Sequence, residues 1–114
     1  MKLAIDITCT AEEVAQAVCA AFNITRQQLV YAPKSKAINF ARGLYCATTV
    51  IAGIHPKDAA HTIQRSRASV ITVAKHYKGY LEVGDQELTN LYNAIIQNLL
   101  TKHGTGTLSN KSVT

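Results

Sequence analysis

Arg65, Ser66, Arg67, Ser69 and Thr72 have the residue types and spacing to grip an anionic polymer. A guanidinium offers a planar fork of N–H donors that fits a guanine edge or a phosphate through two bonds, and nearby hydroxyls add short, rotatable donors. A second group lies upstream, where Lys34 and Lys36 flank Ser35 and Arg42 comes six residues later. Covalent or metal chemistry has much less to work with. His55, His61, His76 and His103 form no His-Glu-x-x-His spacing, and Cys9, Cys19 and Cys46 form no Cys-x-x-Cys pair. The chain is therefore expected to be no enzyme and to need no metal or cofactor.

The charge is unevenly spread. Over 114 residues, 12 Lys and Arg oppose 7 Asp and Glu, a net +5. Residues 26–78 hold nine of those cations against Asp58 alone, a balance of +8, and both flanks are net negative. A basic middle between acidic ends points to a polyanion docking on one part of the surface.

The length fits one domain, and 47% hydrophobic residues suffice for a packed core. Three cysteines at irregular spacing suit free thiols used as small hydrophobes in a reducing compartment, so a cytoplasmic location is expected. The opening residues lack the long apolar run of a secretion signal, and no stretch approaches the roughly 20 apolar residues that would span a bilayer.

The elements that must carry the charged residues read as helices. Thr10-Ala-Glu-Glu13 and Thr25-Arg-Gln-Gln28 are capping boxes, each starting a helix. The first continues through Val14, Val18 and Phe22 to about Asn23; the second lasts one or two turns. Pro33 breaks the chain into a basic loop over Tyr31–Lys36, with Ser35 placed to cap the next helix. Residues 37–52 are apolar nearly all round, as a central helix requires, and Gly53 suits its end. Pro56 opens a short helix over 57–63, Gln64-Arg65-Ser66 make a tight connection, and Ser66 caps a helix whose inner face is Val70, Ile71, Val73, Ala74 and Tyr77. Gly79 and Gly84 loosen the chain before a closing amphipathic helix over 85–103 that carries Leu91, Ile95 and Leu99 in line. Leu3, Ile5 and Ile7 alternate as in a short extended arm. The expected architecture is all-α, a compact bundle of about five helices in one domain over 1–103, with a disordered Gly, Ser and Thr-rich tail over 104–114.

The pair of helices around Gln64 matches the positional rules of a helix-turn-helix. Counting from Pro56, the fifth position must be small and is Ala60. The fourth, eighth, fifteenth and eighteenth must be core and are Ala59, Ile63, Val70 and Val73. The ninth is usually Gly but is Gln64, and the tenth is often apolar but is Arg65. In this motif the second helix enters the major groove N-terminus first, which aims Ser66, Arg67, Ser69 and Thr72 at bases or phosphates and gives Arg65 a phosphate. Two arginines at a helix N-terminus oppose the macrodipole, a cost that an anionic partner offsets.

The stretch from about Val14 to Leu81 resembles the C-terminal DNA-binding domain of the bacterial replication initiator DnaA, a helix-turn-helix variant related in architecture to the Trp repressor. Phe22, Leu29, Lys34-Ser35-Lys36, Arg42 and Arg65-Ser66-Arg67-Ala68-Ser69-Val70 occupy the places of that family's aromatic, short leucine turn, basic loop, central-helix arginine and signature. The resemblance implies minor-groove and phosphate contacts for Lys34 and Lys36 and a backbone contact for Arg42. The signature's Arg, second Thr and Val correspond to Arg65, Ser69 and Val70. Its base-reading Asp, His and first Thr are Ser66, Arg67 and Ala68 here, so a different target sequence is implied. With no Gly-x-x-x-x-Gly-Lys-Ser/Thr loop, the chain reads as a stand-alone relative. Double-stranded DNA is the expected partner, and a replication or transcription regulator the expected role. The rival reading is a helical interaction module whose Leu91, Ile95 and Leu99 stripe forms a homodimer or docks a protein partner.

Overall fold

A computed structural model describes residues 8–107, with side chains as far as Thr101. The alternating Leu3, Ile5 and Ile7 lie outside the described residues, as does 108–114. Six helices run in order: α1 (Ala11–Phe22), α2 (Arg26–Tyr31), α3 (Lys36–Ile51), α4 (Pro56–Thr62), α5 (Arg67–Glu82) and α6 (Gln86–Thr107). The described residues are all-α, with one helix more than the five expected.

Local chemistry sets the helix starts. Thr10 and Thr25 each accept from the amide three residues on, while Glu13 and Gln28 return a bond to the cap backbone. Ser35 and Ser66 cap α3 and α5 in the same way, and Pro56 opens α4 where its missing N–H costs nothing. Two ends fall later than expected. Helix α5 runs through Gly79 to Glu82, because a mid-helix glycine costs about 1 kcal/mol while burial of Leu81 returns about 1.5–3 kcal/mol. Helix α6 passes His103 and reaches Thr107, continuing the helical path that the buried Leu99 anchors.

Helix α3 is the central element and touches all five others. Leu44, Tyr45, Ala47, Thr48 and Thr49 on it are fully enclosed, which explains its lack of a polar face. The Tyr45 hydroxyl donates to the Ala59 carbonyl at 2.7 Å, so even the polar end of this buried ring is satisfied and α4 is tied to α3. Arg26 pairs with Glu12 and donates to the Thr62 carbonyl at 3.2 Å, joining α1, α2 and α4. Cys19 and Cys46 are buried free thiols packed as hydrophobes, and Cys9 is half-buried.

The stripe on α6 has a different use from the one the interaction reading assigns it. Ile95 and Leu99 are fully buried and Leu91 is partly buried, all in the core that α6 shares with α1. Val14, Ala15 and Val18 on α1 are equally enclosed, so two amphipathic faces close on each other within the chain and leave no such stripe for a homodimer or a partner helix.

Helices α3 and α5 cross where Gly43 meets Tyr77. A Cβ added to Gly43 would clash with the Tyr77 ring, and that ring is held by its hydroxyl on the Asn39 carbonyl at 3.3 Å and by edge contacts with Phe40 and Tyr80. Gly43→Ala should therefore cost about 1–3 kcal/mol in urea unfolding, and Tyr77→Leu in the same background should recover part of it, giving a measurable coupling in a double-mutant cycle.

Burial also pushes the Cys46 thiol up to about 12 from an ordinary value of 9.0, and raises the Tyr45 hydroxyl as well. A raised pKa means that the folded state holds its proton after the unfolded chain has released it. Stability from these groups is intact below pH 9 and declines above it, by up to about 1.4 kcal/mol per pH unit for each group titrating in the unfolded chain. Urea midpoints measured from pH 7 to 10.5 should fall from about pH 9, and fall less steeply in Cys46→Ala when each is referred to its own value at pH 7.

Candidate nucleic-acid interface

Helices α4 and α5 are joined by Ile63–Ser66, and the residues facing inward across this joint are the ones the helix-turn-helix rules select. Ala59, Ala60, Ile63 and Val70 are buried, and Val73 is partly buried. Gln64 occupies the position where glycine is usual and takes the backbone that makes glycine usual there, with φ at 56°. Its side chain accepts from the Tyr31 hydroxyl at 2.9 Å, which fixes the turn against the end of α2.

The inward face of α5 leaves an outward one. Arg67, Ala68, Ser69, Ile71, Thr72, Lys75 and His76 are all exposed on its first three turns, so Ile71, expected on the inner face, points outward instead. Ser66 is partly committed: its hydroxyl accepts from the Ser69 amide at 3.1 Å and donates to the Ser69 hydroxyl at 3.0 Å. Thr72 lies on the same outer face, exposed. Ser35 serves α3 as its cap, accepting from the Ile38 amide at 3.2 Å.

Two adjoining hollows gather the cations. A groove between α3 and α5 is lined by Lys34, Arg42, Arg65 and Ser69. A shallower hollow beside it is lined by Lys57, His61, Arg65 and Arg67. Arg65 is common to both, so Lys34, Arg65 and Arg67 belong to one band. Lys34, Lys57, Arg67 and Lys75 make no ion pair among the described residues.

Lys36 is not part of this band. It opens α3, sits 3.4 Å from a Glu87 carboxylate oxygen on α6, and lies over the Phe40 ring at 5.6 Å. Both ends of that pair are exposed, so it contributes little to stability, but it shows that the side chain is directed toward α6.

Arg42 and Arg65 differ from the expected free phosphate contacts in a more consequential way. Arg42 donates from Nε to the Leu29 carbonyl at 2.8 Å and from Nη2 to those of Val30 and Ala32 at 3.3 and 2.7 Å. Arg65 donates to the Val30 carbonyl at 3.0 Å and to those of Ile63 and Gln64 at 3.2 and 3.3 Å. The last carbonyls of a helix lack intrahelical partners and carry the negative end of its dipole, so both guanidiniums close the end of α2 and Arg65 also closes α4. The unfavourable place of Arg65 before α5 is thus offset within the chain, without an outside anion. Burial, and secondarily the charge of Arg65, lowers the Arg42 pKa, although an arginine so placed stays charged.

Lys57, His61, Lys75 and His76 border the same surface and are not among the sequence-derived site residues. Their signal was the helical period: Lys75 and His76 lie one turn on from Thr72, opposite the buried Val70 and Ala74. Lys57 and His61 share one face of α4 by the same spacing.

No family model, curated protein or solved structure matches the chain. Among the described residues no helix is long and apolar enough to cross a membrane.

Arg42 is expected to act on stability first. Arg42→Ala should cost about 2–3 kcal/mol in chemical unfolding, and Arg42→Lys should restore less than half of it, since an ammonium cannot reproduce the planar fork on three carbonyls. A phosphate-only role would leave the unfolding midpoint unchanged.

Proposed function

We propose that the chain binds double-stranded DNA, with α4 and α5 acting as a helix-turn-helix and α5 laid in the major groove. The observation that carries this reading is the exposed first half of α5, bordered by Lys34, Lys57, Arg67 and Lys75, none of them neutralised by a carboxylate among the described residues. A surface of this kind suffers self-repulsion unless a polyanion covers it. The left-handed Gln64 and the buried Ala59, Ala60, Ile63 and Val70 support the motif assignment from within the joint.

Within this reading the residues divide by chemistry. Arg67, with its fork unspent, is the base reader, helped by Ser69 and Thr72 on the same helix. Lys34, Lys57 and Lys75 meet phosphates, which hold the duplex in register without reading its sequence. Arg65 and Ser66 contribute the polar start of α5 while keeping it in place. Lys36 contributes charge only from the edge. Arg42 supports the loop that carries Lys34 and meets no phosphate directly.

The order of aromatic helix end, short turn, basic loop, central helix and helix pair supports kinship with the DnaA C-terminal domain and, more distantly, the Trp repressor. We read the chain as a cytoplasmic regulator of replication or transcription whose target differs from that family's, because Ser66, Arg67 and Ala68 stand where its base readers are.

Fluorescence anisotropy with a random-sequence duplex tests the proposal. Contacts to about three phosphates predict a log–log salt slope of roughly −3, and no duplex affinity at about 50 mM salt would overturn the reading. Arg67→Ala should relax preference at one base pair by about 1–3 kcal/mol in selection from a duplex library, whereas Lys75→Ala should weaken all sequences alike and flatten the slope by about 1. Tighter binding to an RNA hairpin pool than to duplex DNA would also reject it.

A further inference from the structure

Thr10, Thr25, Ser35 and Ser66 cap α1, α2, α3 and α5 with a hydroxyl, and Asp85 caps α6 with a carboxylate that accepts from the Leu88 amide at 3.0 Å. Oxygens of this kind keep their lone pairs throughout the neutral range. Helix α4 starts differently. Its cap is His55, whose Nδ1 accepts from the Lys57 amide at 3.1 Å. A backbone amide can only donate, so this bond requires an unprotonated Nδ1 and leaves the ring proton on Nε2. Imidazole is also the side chain that ordinarily gains a second proton between about pH 8 and pH 5. With both ring nitrogens protonated, His55 has no acceptor left and sets a positive charge against the positive end of the α4 dipole.

The surroundings offer the charged ring another place. His55 is exposed and lines an open hollow of about 700 Å³ on the side of α4 that faces the start of α1, so water reaches the ring and there is room for it to turn. The titratable groups sharing that hollow are Cys9, Glu12 and Asp58. Glu12 is held by Arg26 from α2, whereas Asp58 has no ion pair among the described residues. The end of α3 adds only the uncharged Ala52, Gly53 and Ile54, and the adjoining cation on α4 is the exposed Lys57. We propose that His55 is a pH-operated cap. Neutral, it closes the first turn of α4 on the Lys57 amide; protonated, it releases that amide and turns to the Asp58 carboxylate. The change stays local, because the His55 carbonyl accepts from the Asp58 and Ala59 amides at 3.0 and 3.1 Å whatever the charge on the ring. The loosened residue is Lys57, a cation of the basic band, but the switch does not depend on what binds there.

The test follows the full chain, labelled with nitrogen-15, by NMR from about pH 8 to pH 5. At the upper end the His55 ring should carry its proton on Nε2. On acidification the Lys57 amide shift should move with the same midpoint as the His55 ring. Its solvent exchange, referred to the intrinsic rate at each pH, should rise about fivefold, as expected for one lost cap. His55→Asn, which caps through an oxygen that does not titrate, should hold the Lys57 amide in place across the range. His55→Ala, at the same exposed position, should leave it released throughout. Asp58→Asn removes the carboxylate that receives the charged ring and should lower the His55 midpoint by about 0.5 of a pH unit. A proton on Nδ1 at the upper end, a Lys57 amide that tracks the His61 ring, or an unchanged Lys57 titration in His55→Asn would each overturn the proposal. An unmoved midpoint in Asp58→Asn would overturn the place assigned to the charged ring. Duplex affinity is not read in this experiment, so either reading can fail alone.

Discussion

The close approach of the Tyr77 ring to the Gly43 backbone governs the arrangement of everything around α5. Only a residue without a side chain lets α3 and α5 come this near, and interhelical packing is a matter of tenths of an ångström once a ring lies on a backbone. With that contact made, Val70, Ala74 and Leu81 are buried along the same face. The opposite face is thereby committed to solvent, and it carries Thr72, Lys75 and His76. The exposed chemistry of α5 is in this sense the complement of its packing.

A second constraint is electrostatic. The bundle contains two very short helices, α2 and α4, whose final carbonyls converge near the start of α5. Short helices have most of their peptide groups unpaired at one end or the other, and closing those ends inside a folded domain requires donors. Arg42 and Arg65 provide them. Cations that in a sequence look available for a ligand are thus partly consumed by the fold, and among the described residues of 26–78 the ones that stay available are Lys34, Lys57, Arg67, Lys75 and Lys78. The surface is still basic after that subtraction, and the proposed duplex binding rests on those remaining cations.

The same subtraction separates two kinds of exposed region. On the outer face of α5 the exposed cations Arg67 and Lys75 are interleaved with Ser69 and Thr72. The groove behind it, between α3 and α5, is lined by Lys34, Arg42 and Arg65 together with Val70, Val73 and Tyr77. Both depend on α5 holding one position relative to α3. Tyr31 and Gln64 add to that by fixing the turn that precedes α5.

Helix positions were legible from sequence wherever a signal is local. Capping boxes at Thr10 and Thr25, caps at Ser35 and Ser66, and the proline at Pro56 act through hydrogen bonds and dihedral limits within a few residues, so their residue types suffice to locate the starts. Core membership of Val70, Ile63 and Leu44 came from periodicity for the same reason. The end of α5 did not, because whether Gly79 stops a helix depends on what Leu81 can be buried against. Nor could the sequence distinguish an α6 stripe closed on α1 from one offered to a partner, since amphipathic periodicity is identical in the two cases. The roles of Arg42, Arg65 and Lys36 were hidden most deeply: a long cationic side chain can reach a carbonyl, a carboxylate or solvent from the same backbone position, and only the fold brings Val30 to Arg65 and Glu87 to Lys36. Residue types alone thus determined an all-helical chain and where its charge accumulates, while tertiary contacts between distant segments decided which of those charges face outward.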